Sequence, residues 1–236
     1  MRVEIWSDVV CPWCYIGKRR FEAALASFPH RDEVDLLWRS FELDPSAAIS
    51  DNMSGTYTSR LAHKYGTSLE RAQGMIDNMS AVAASEGLDF RFDKSRPGNT
   101  FDAHRLLHLA LHHDLQDELK ERLDHATFTE GLSVSNHEEL ARLAVEVGLD
   151  EAQVREVLAS DRYADAVHGD VAQARSYGIS AVPFFVIDGK YGVAGAQPAE
   201  QILEVLTRAW AERSPLTLLT SVGTNDESCA DDSCVV

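Results

Sequence analysis

Basic residues are the scarce charged class in this chain. Its 236 residues carry 22 Lys and Arg against 38 Asp and Glu, a formal charge of −16. A duplex-binding surface needs clustered Lys and Arg. No such cluster occurs, so nucleic acid is excluded as a partner, and an anionic membrane surface is disfavoured for the same reason. The bland meaning of the charge is solubility. Long apolar runs are also missing; none approaches the roughly 18 residues of a spanning helix. Strand-like residues begin at Val3, with no basic stretch and apolar segment before them, so the expected location is the cytoplasm. Cysteine is rare too, at four residues. Hydrophobic residues make up 44%, enough for a core that needs no disulfides to hold it. Structural disulfides are in any case rare in the cytoplasm, which turns attention to thiol chemistry.

Two of the four cysteines stand in Cys11-Pro12-Trp13-Cys14, directly after the apolar run Val3-Glu4-Ile5-Trp6 and before the helical pattern Tyr15 to Leu25. The pair therefore sits where a strand hands over to a helix N-terminus. The thiolate is the attacking species in disulfide exchange, and the unpaired N–H groups and partial positive charge of a first helical turn favour it. Pro12 suits a first helical position, where its missing N–H would be unpaired anyway. Cys11, at the helix tip, is assigned the attack; Cys14, about one turn further in, resolves the mixed disulfide. Lys18, Arg19 and Arg20 add positive charge on the next turn. Asp8 either tunes the pair or caps the helix. A zinc knuckle would place a second close pair some 12 to 20 residues on, and none is there.

After the first helix, Val34 to Phe41 reads as a second strand, and a strand-helix-strand start makes the first two strands parallel. From about Met53 to Tyr177 helical periodicity takes over. Helices are expected near 54–65, 68–86, 100–113, 115–130, 136–147, 151–158 and 161–177, with Gly66, Gly87, Gly131 and Gly148 at the joints. Strand pattern returns at Val182 to Ile187. Asp188-Gly189 is a hairpin turn signal, Tyr191 to Ala194 the partner strand, and Pro198 to Trp210 a closing helix. The expected fold class is α/β, a βαβ–ββα unit interrupted by an all-helical insertion. The divisions read as 1–50, a helical subdomain over 51–178, a return over 179–212, and an acidic tail over 213–236 that holds Cys229 and Cys234.

Four blocks in this order carry a resemblance: Asp8 to Gly17 around the cysteine pair, Asn99-Thr100-x-x-Ala103-His104-Arg105-Leu106, Gly178 to Val186, and Gly195-Ala196-Gln197. Over roughly residues 1–212 the chain resembles the DsbA family of thioredoxin-fold proteins, and within it the FrnE-like branch. The resemblance implies a thioredoxin fold split by a helical insertion, with thiol–disulfide oxidoreductase activity. It implies that Pro183 is a cis proline beside the cysteine pair, and that Val182 offers backbone hydrogen bonds to a bound peptide or thiol. The tail pair, Cys229-x4-Cys234, resembles the second pair of some FrnE-like proteins, which implies a redox centre exchanging with the first. Its acidic neighbours Asp226, Glu227, Asp231 and Asp232 make these sulfurs poor nucleophiles near neutral pH, while still open to attack as a disulfide. Incidental thiols and a metal site are the other readings of that pair.

The expected site is thus Cys11, Cys14 and Pro183 as catalytic residues, with Pro12, Trp13, Val182, Phe184 and His104 toward substrate, a place in the core or at an interface being the other reading of His104. Trp6 and Trp38 are expected in the core, as are Met75 and Met79. His104, His108 and His112 share one helix face, but three in line cannot close a tetrahedral site, and no H-E-x-x-H is present, so no metal is expected. No cofactor is expected beyond the redox disulfide, with glutathione a candidate co-substrate. Substrates are proteins or small molecules bearing thiols or disulfides; thioredoxin, glutathione or another small thiol can recycle the pair, and the chain is a monomer or a dimer. Two other classes remain: a glutathione-dependent isomerase or transferase of the kappa-like class, which uses a serine near the position of Cys11, and a holdase or zinc-buffering module.

Overall fold

The computed structural model describes residues 1–48, 55–96 and 98–213. Four strands form one mixed sheet: β1 (Arg2–Ser7), β2 (Asp35–Ser40), β3 (Phe184–Ile187) and β4 (Tyr191–Ala194). Their order is β2-β1-β3-β4, with β1 and β2 parallel and the other two pairings antiparallel. Strand alternation decides what each face meets. Val3 and Ile5, with Phe185 and Ile187 paired opposite, pack on Phe21 of α1 (Pro12–Ala26) and on Ile202 and Leu206 of α9 (Ala199–Ala211). Trp6 and Val186 point the other way, against Ala174 of α8 (Ala164–Ser176) and Ile179. At the β3–β4 turn, Asp188 and Gly189 both take positive φ, 48° and 65°, the conformation the Asp-Gly dipeptide is suited to.

Between β2 and β3 the chain is helical: α2 (Tyr57–Tyr65), α3 (Leu69–Ser85), α4 (Phe101–Leu111), α5 (Gln116–His125), α6 (His137–Glu146), α7 (Glu151–Leu158) and then α8. Several starts are set by side-chain caps. Thr56, Ser68, Asn136 and Asp150 each accept a hydrogen bond from the first helical turn. Two expected helices differ. The run expected over 115–130 is α-helical only to His125 and widens into a π-helical turn over Ala126–Glu130. The run expected from 161 starts at Ala164, because Tyr163 stands at φ 66° and cannot continue a right-handed helix backward. The insertion has its own core of Leu106, Leu109, Leu119, Leu123, Leu140 and Val154, and Val9 is buried among them. The turn just ahead of the cysteine pair is therefore pinned into the insertion by Val9, with Val10 packed against the same core.

Trp6 and Trp38 are buried, as expected. Met79 is buried, but Met75 is 38% exposed: it lies one turn earlier on α3, off the stripe that Ala72, Ile76, Met79 and Ala83 bury. Among the described residues no helix is long and apolar enough to cross a membrane. Cys229, Cys234 and all of the expected tail beyond Arg213 lie outside the described residues.

Candidate active site

Cys11 is the N-cap of α1, with extended backbone (φ −94°, ψ 108°) and Pro12 following as the first helical residue. Its N–H donates to Asp8 O at 3.2 Å, and its carbonyl accepts from Cys14 N–H at 3.0 Å. The Val182–Pro183 bond is cis. The loop it makes brings Val182 O to 3.6 Å from Cys11 Sγ. Strand β3 begins only after it, at Phe184, rather than at Val182 as the apolar pattern suggested. Pro183 also lies against α1: a Cβ added to Gly17 would stand 2.9 Å from Pro183 Cγ. Alanine ordinarily stabilises a helix interior relative to glycine. Here Gly17→Ala is expected to lower stability by about 1–3 kcal/mol, the cost of overpacking. Urea unfolding checks this; a gain in stability would mean that the proline ring moves aside freely.

Cys11 is less open than a helix tip suggests. It is 4% exposed and Cys14 0%, so access is graded in the expected order but both thiols are buried. The Cys11 thiol is pushed well up, first by its hydrogen bond with the Cys14 side chain, then by burial and by the charge of Cys14; Asp8 adds to this. The Cys14 backbone N–H pulls the other way, which is the expected helix-terminus effect, and it is outweighed.

The three basic residues of α1 do not supply a counter-charge. Lys18 is buried and ion-paired with Glu22, Asp117 at 3.2 Å and Glu121 at 3.4 Å. Arg19 pairs with Glu22 and Glu121, and Arg20 with Glu86 at 2.6 Å while donating to Ala196 O. Burial alone would raise Glu121; hydrogen bonds from Arg19 and Tyr15, with Lys18 nearby, overcome it and bring the carboxyl down to about 2. This network fastens α1 to the insertion.

Asp8 does not cap α1, since no side chain does. Its Oδ2 accepts from Leu43 N–H at 2.7 Å, and its Oδ1 lies 3.4 Å from His104 Nε2. Of the two roles expected for it, the electrostatic one remains. His104 corrects the sequence reading: it is 1% exposed, with Nε2 on Phe41 O at 3.1 Å, and so has no surface to offer a substrate. It orients the chain beneath the site instead. His108 turns to Ser40 and to Asp170 at 3.0 Å, His112 stacks on Tyr163, and His113 meets Gln153. Trp13 is 39% exposed between the cysteines in sequence, and Pro12, Val182 and Phe184 are each half-buried.

Sequence reasoning missed Tyr57 and Arg60. Burial pushes the Tyr57 phenol up to about 12, and Cys11 contributes to that shift, so the ring lies within the electrostatic reach of the thiol. Nothing in the spacing of a residue more than 40 positions away signals this proximity.

Residues 2–207 match the family model described as a DSBA-like thioredoxin domain. A probable DsbA oxidoreductase from Streptomyces coelicolor is 49% identical, with a TM-score of 0.87 over 100% of this chain and 99% of that one. At 14% identity, a cytosolic disulfide reductase, DsbM, of Pseudomonas aeruginosa, solved with GSH, shares the fold with a TM-score of 0.62 over 88% of this chain and 98% of that one. A 2-hydroxychromene-2-carboxylate isomerase shares it at 15% identity and a TM-score of 0.64, over 91% and 100% of the two chains. A cysteine pair at a strand-to-helix turn, faced by a proline loop and matched along nearly the whole described chain, makes this protein a member of the DsbA-like thioredoxin-domain family of oxidoreductases.

Proposed function

We propose that the chain is a dithiol–disulfide oxidoreductase working through Cys11 and Cys14, poised on the reducing side. The observation that carries this reading is Cys11 Sγ at the α1 N-cap, 3.6 Å from Val182 O, with Cys14 one turn behind. The Cys11 thiolate attacks one sulfur of a substrate disulfide, forming a mixed disulfide and releasing the other sulfur as a thiolate that takes a proton. Cys14 then attacks the Cys11 sulfur, releasing the second substrate thiol. Two electrons have passed to the substrate, and Cys11–Cys14 is a disulfide. Val182 offers backbone groups to the incoming strand; Pro12, Trp13 and Phe184 offer apolar surface beside it.

The direction follows from charge. A strongly oxidising pair owes its potential to a stabilised thiolate. Here burial, Cys14 and Asp8 disfavour the Cys11 thiolate, and Lys18, Arg19 and Arg20 are spent on carboxylates. The expected potential therefore lies nearer the roughly −270 mV of thioredoxin than the roughly −120 mV of DsbA. In this reading glutathione or a thioredoxin recycles the pair in the cytoplasm, and Cys229 with Cys234 forms a second redox centre.

Titration across glutathione buffers, with alkylation and peptide mass readout of each pair, tests all of this. Joint oxidation of Cys11 and Cys14 at a reducing potential supports the proposal. A potential near that of DsbA would reverse the direction. Uptake of glutathione by Cys11, with no Cys11–Cys14 disulfide, would replace the dithiol route with the glutathione-dependent isomerase or transferase reading.

A further inference from the structure

Beside the cysteine turn lies a cavity of about 220 Å³, walled by Val10, Leu43 and Tyr57 and by the cations Arg60, Lys64 and Arg96. Three cations on one cavity are conspicuous in a chain of net charge −16. Among the described residues Arg60 donates only to carbonyls, Gly55 O at 2.8 Å and Ser95 O at 3.4 Å, with its guanidinium 5.8 Å from the centre of the Tyr57 ring. Lys64 stands 5.9 Å over Tyr65, and Arg96 only grazes Glu139 at 4.0 Å. Among the described residues, neither Arg60 nor Lys64 has a carboxylate partner. Of the described residues, two acids also border the cavity, and both are engaged elsewhere. Asp8 is turned inward to Leu43 N–H and His104, and Asp44 accepts from Ser46 N–H and Oγ–H. The cavity thus presents positive charge within reach of Cys11, next to Val10 and Tyr57.

We infer that this cavity docks the acidic segment of the chain's own tail, Asp226 to Cys234, and so delivers the Cys229–Cys234 disulfide to Cys11. The segment is the complement of the cavity: two cysteines among Asp226, Glu227, Asp231 and Asp232, with no basic residue. Chain length permits it. Arg213 lies 3.6 Å from Asp188, which also accepts from Arg2 N–H, so α9 ends beside the Arg2 end of β1. Cys11 lies past the opposite end, with six residues of strand, roughly 20 Å, between. Cys229 is 16 residues beyond Arg213, an extended reach of about 55 Å. The inference rests on the dithiol reading above and adds where the second pair is received. In the step, the Cys11 thiolate attacks one tail sulfur and Cys14 then resolves. Two electrons and two protons pass from Cys11 and Cys14 to the tail pair, and one disulfide replaces the other.

The experiment uses the full chain. In Cys14→Ser, with the tail pair first oxidised, the Cys11-to-tail mixed disulfide is followed by quenching and peptide mass. The same is done with Arg60→Glu/Lys64→Glu added, each rate being normalised to that variant's own rate with 2-hydroxyethyl disulfide, an uncharged probe. The double reversal is expected to slow capture about tenfold, and raised salt to slow the parent toward it. Arg155→Glu, the same reversal on distant α7, is expected to leave capture unchanged. No Cys11-to-tail disulfide in Cys14→Ser would remove the second redox centre while leaving the Cys11–Cys14 pair intact. Capture that proceeds equally fast in the double reversal would keep the relay and overturn the docking site. A double reversal that slows only attack on added glutathione disulfide would assign the cavity to a small anionic disulfide and overturn the tail as its occupant.

Discussion

Replacing Cys11 with serine is expected to abolish disulfide exchange, by on the order of a thousandfold or more, while leaving the fold intact. The sulfur that must be lost is the one facing Val182 O across the proline loop. Serine cannot form the mixed disulfide, and Cys14, 0% exposed behind it, cannot reach a protein disulfide in its place. The structural cost is small because Cys11 is an N-cap that makes no side-chain capping bond. Serine is among the preferred N-cap residues, so Cys11→Ser is expected to hold or slightly raise the melting temperature. Cys14→Ser behaves differently: the first attack survives, resolution fails, and the enzyme accumulates as a mixed disulfide. Reduction of insulin, followed by non-reducing mass spectrometry of each variant, separates the two. Activity above about a tenth of wild type in Cys11→Ser would move the attack to another cysteine.

Much of this was legible in the sequence, for reasons that differ from element to element. The four strands were readable because each alternates or is bounded by a turn whose chemistry is local, as at Asp188-Gly189. The cysteine pair was readable because its function depends on a helix N-terminus only a few residues away. What depended on partners distant in sequence was not. Lys18, Arg19 and Arg20 looked like a positive field for Cys11, yet Asp117, Glu121 and Glu86 take them up from the insertion. His104, His108 and His112 share a helix face by spacing, but each is claimed by a different neighbour: Phe41, Asp170 and Tyr163. Helix ends failed where backbone conformation overrode periodicity, at Tyr163 and at the π-helical turn after His125. Arg60 and Tyr57 lie beside the cysteine turn through tertiary packing alone, and no local pattern encodes that.

Within the same insertion, Lys120→Met is expected to destabilise the protein by about 3–5 kcal/mol at pH 7. Lys120 and Asp124 pair one turn apart on α5 and are both fully buried, with the Lys120 ammonium 5.1 Å over the Trp38 ring. Asp124 Oδ1 has no hydrogen-bond partner among the described residues. Burial pushes the Asp124 carboxyl up to about 6, against the pull of Lys120. Removing the cation leaves a carboxylate with nothing to offset its desolvation. Because the folded value lies above the ordinary 3.8, this group's contribution to stability is full below about pH 4 and is lost as pH rises through about 6. Without Lys120 the carboxyl climbs further, so the gap between wild type and Lys120→Met is expected to be widest at pH 7 and to narrow toward pH 5. Other carboxylates titrate in both proteins, and the difference between the two unfolding curves isolates this one. Lys120→Met/Asp124→Leu, which removes both charges, is expected to recover most of the loss, because a pair that is costly to break need not be stabilising relative to apolar side chains of similar size. Urea unfolding of the three proteins at pH 5 and pH 7 gives the measurement. A single-variant loss under about 1 kcal/mol, or one that does not change with pH, would mean that water or a neighbouring group already compensates the Asp124 charge.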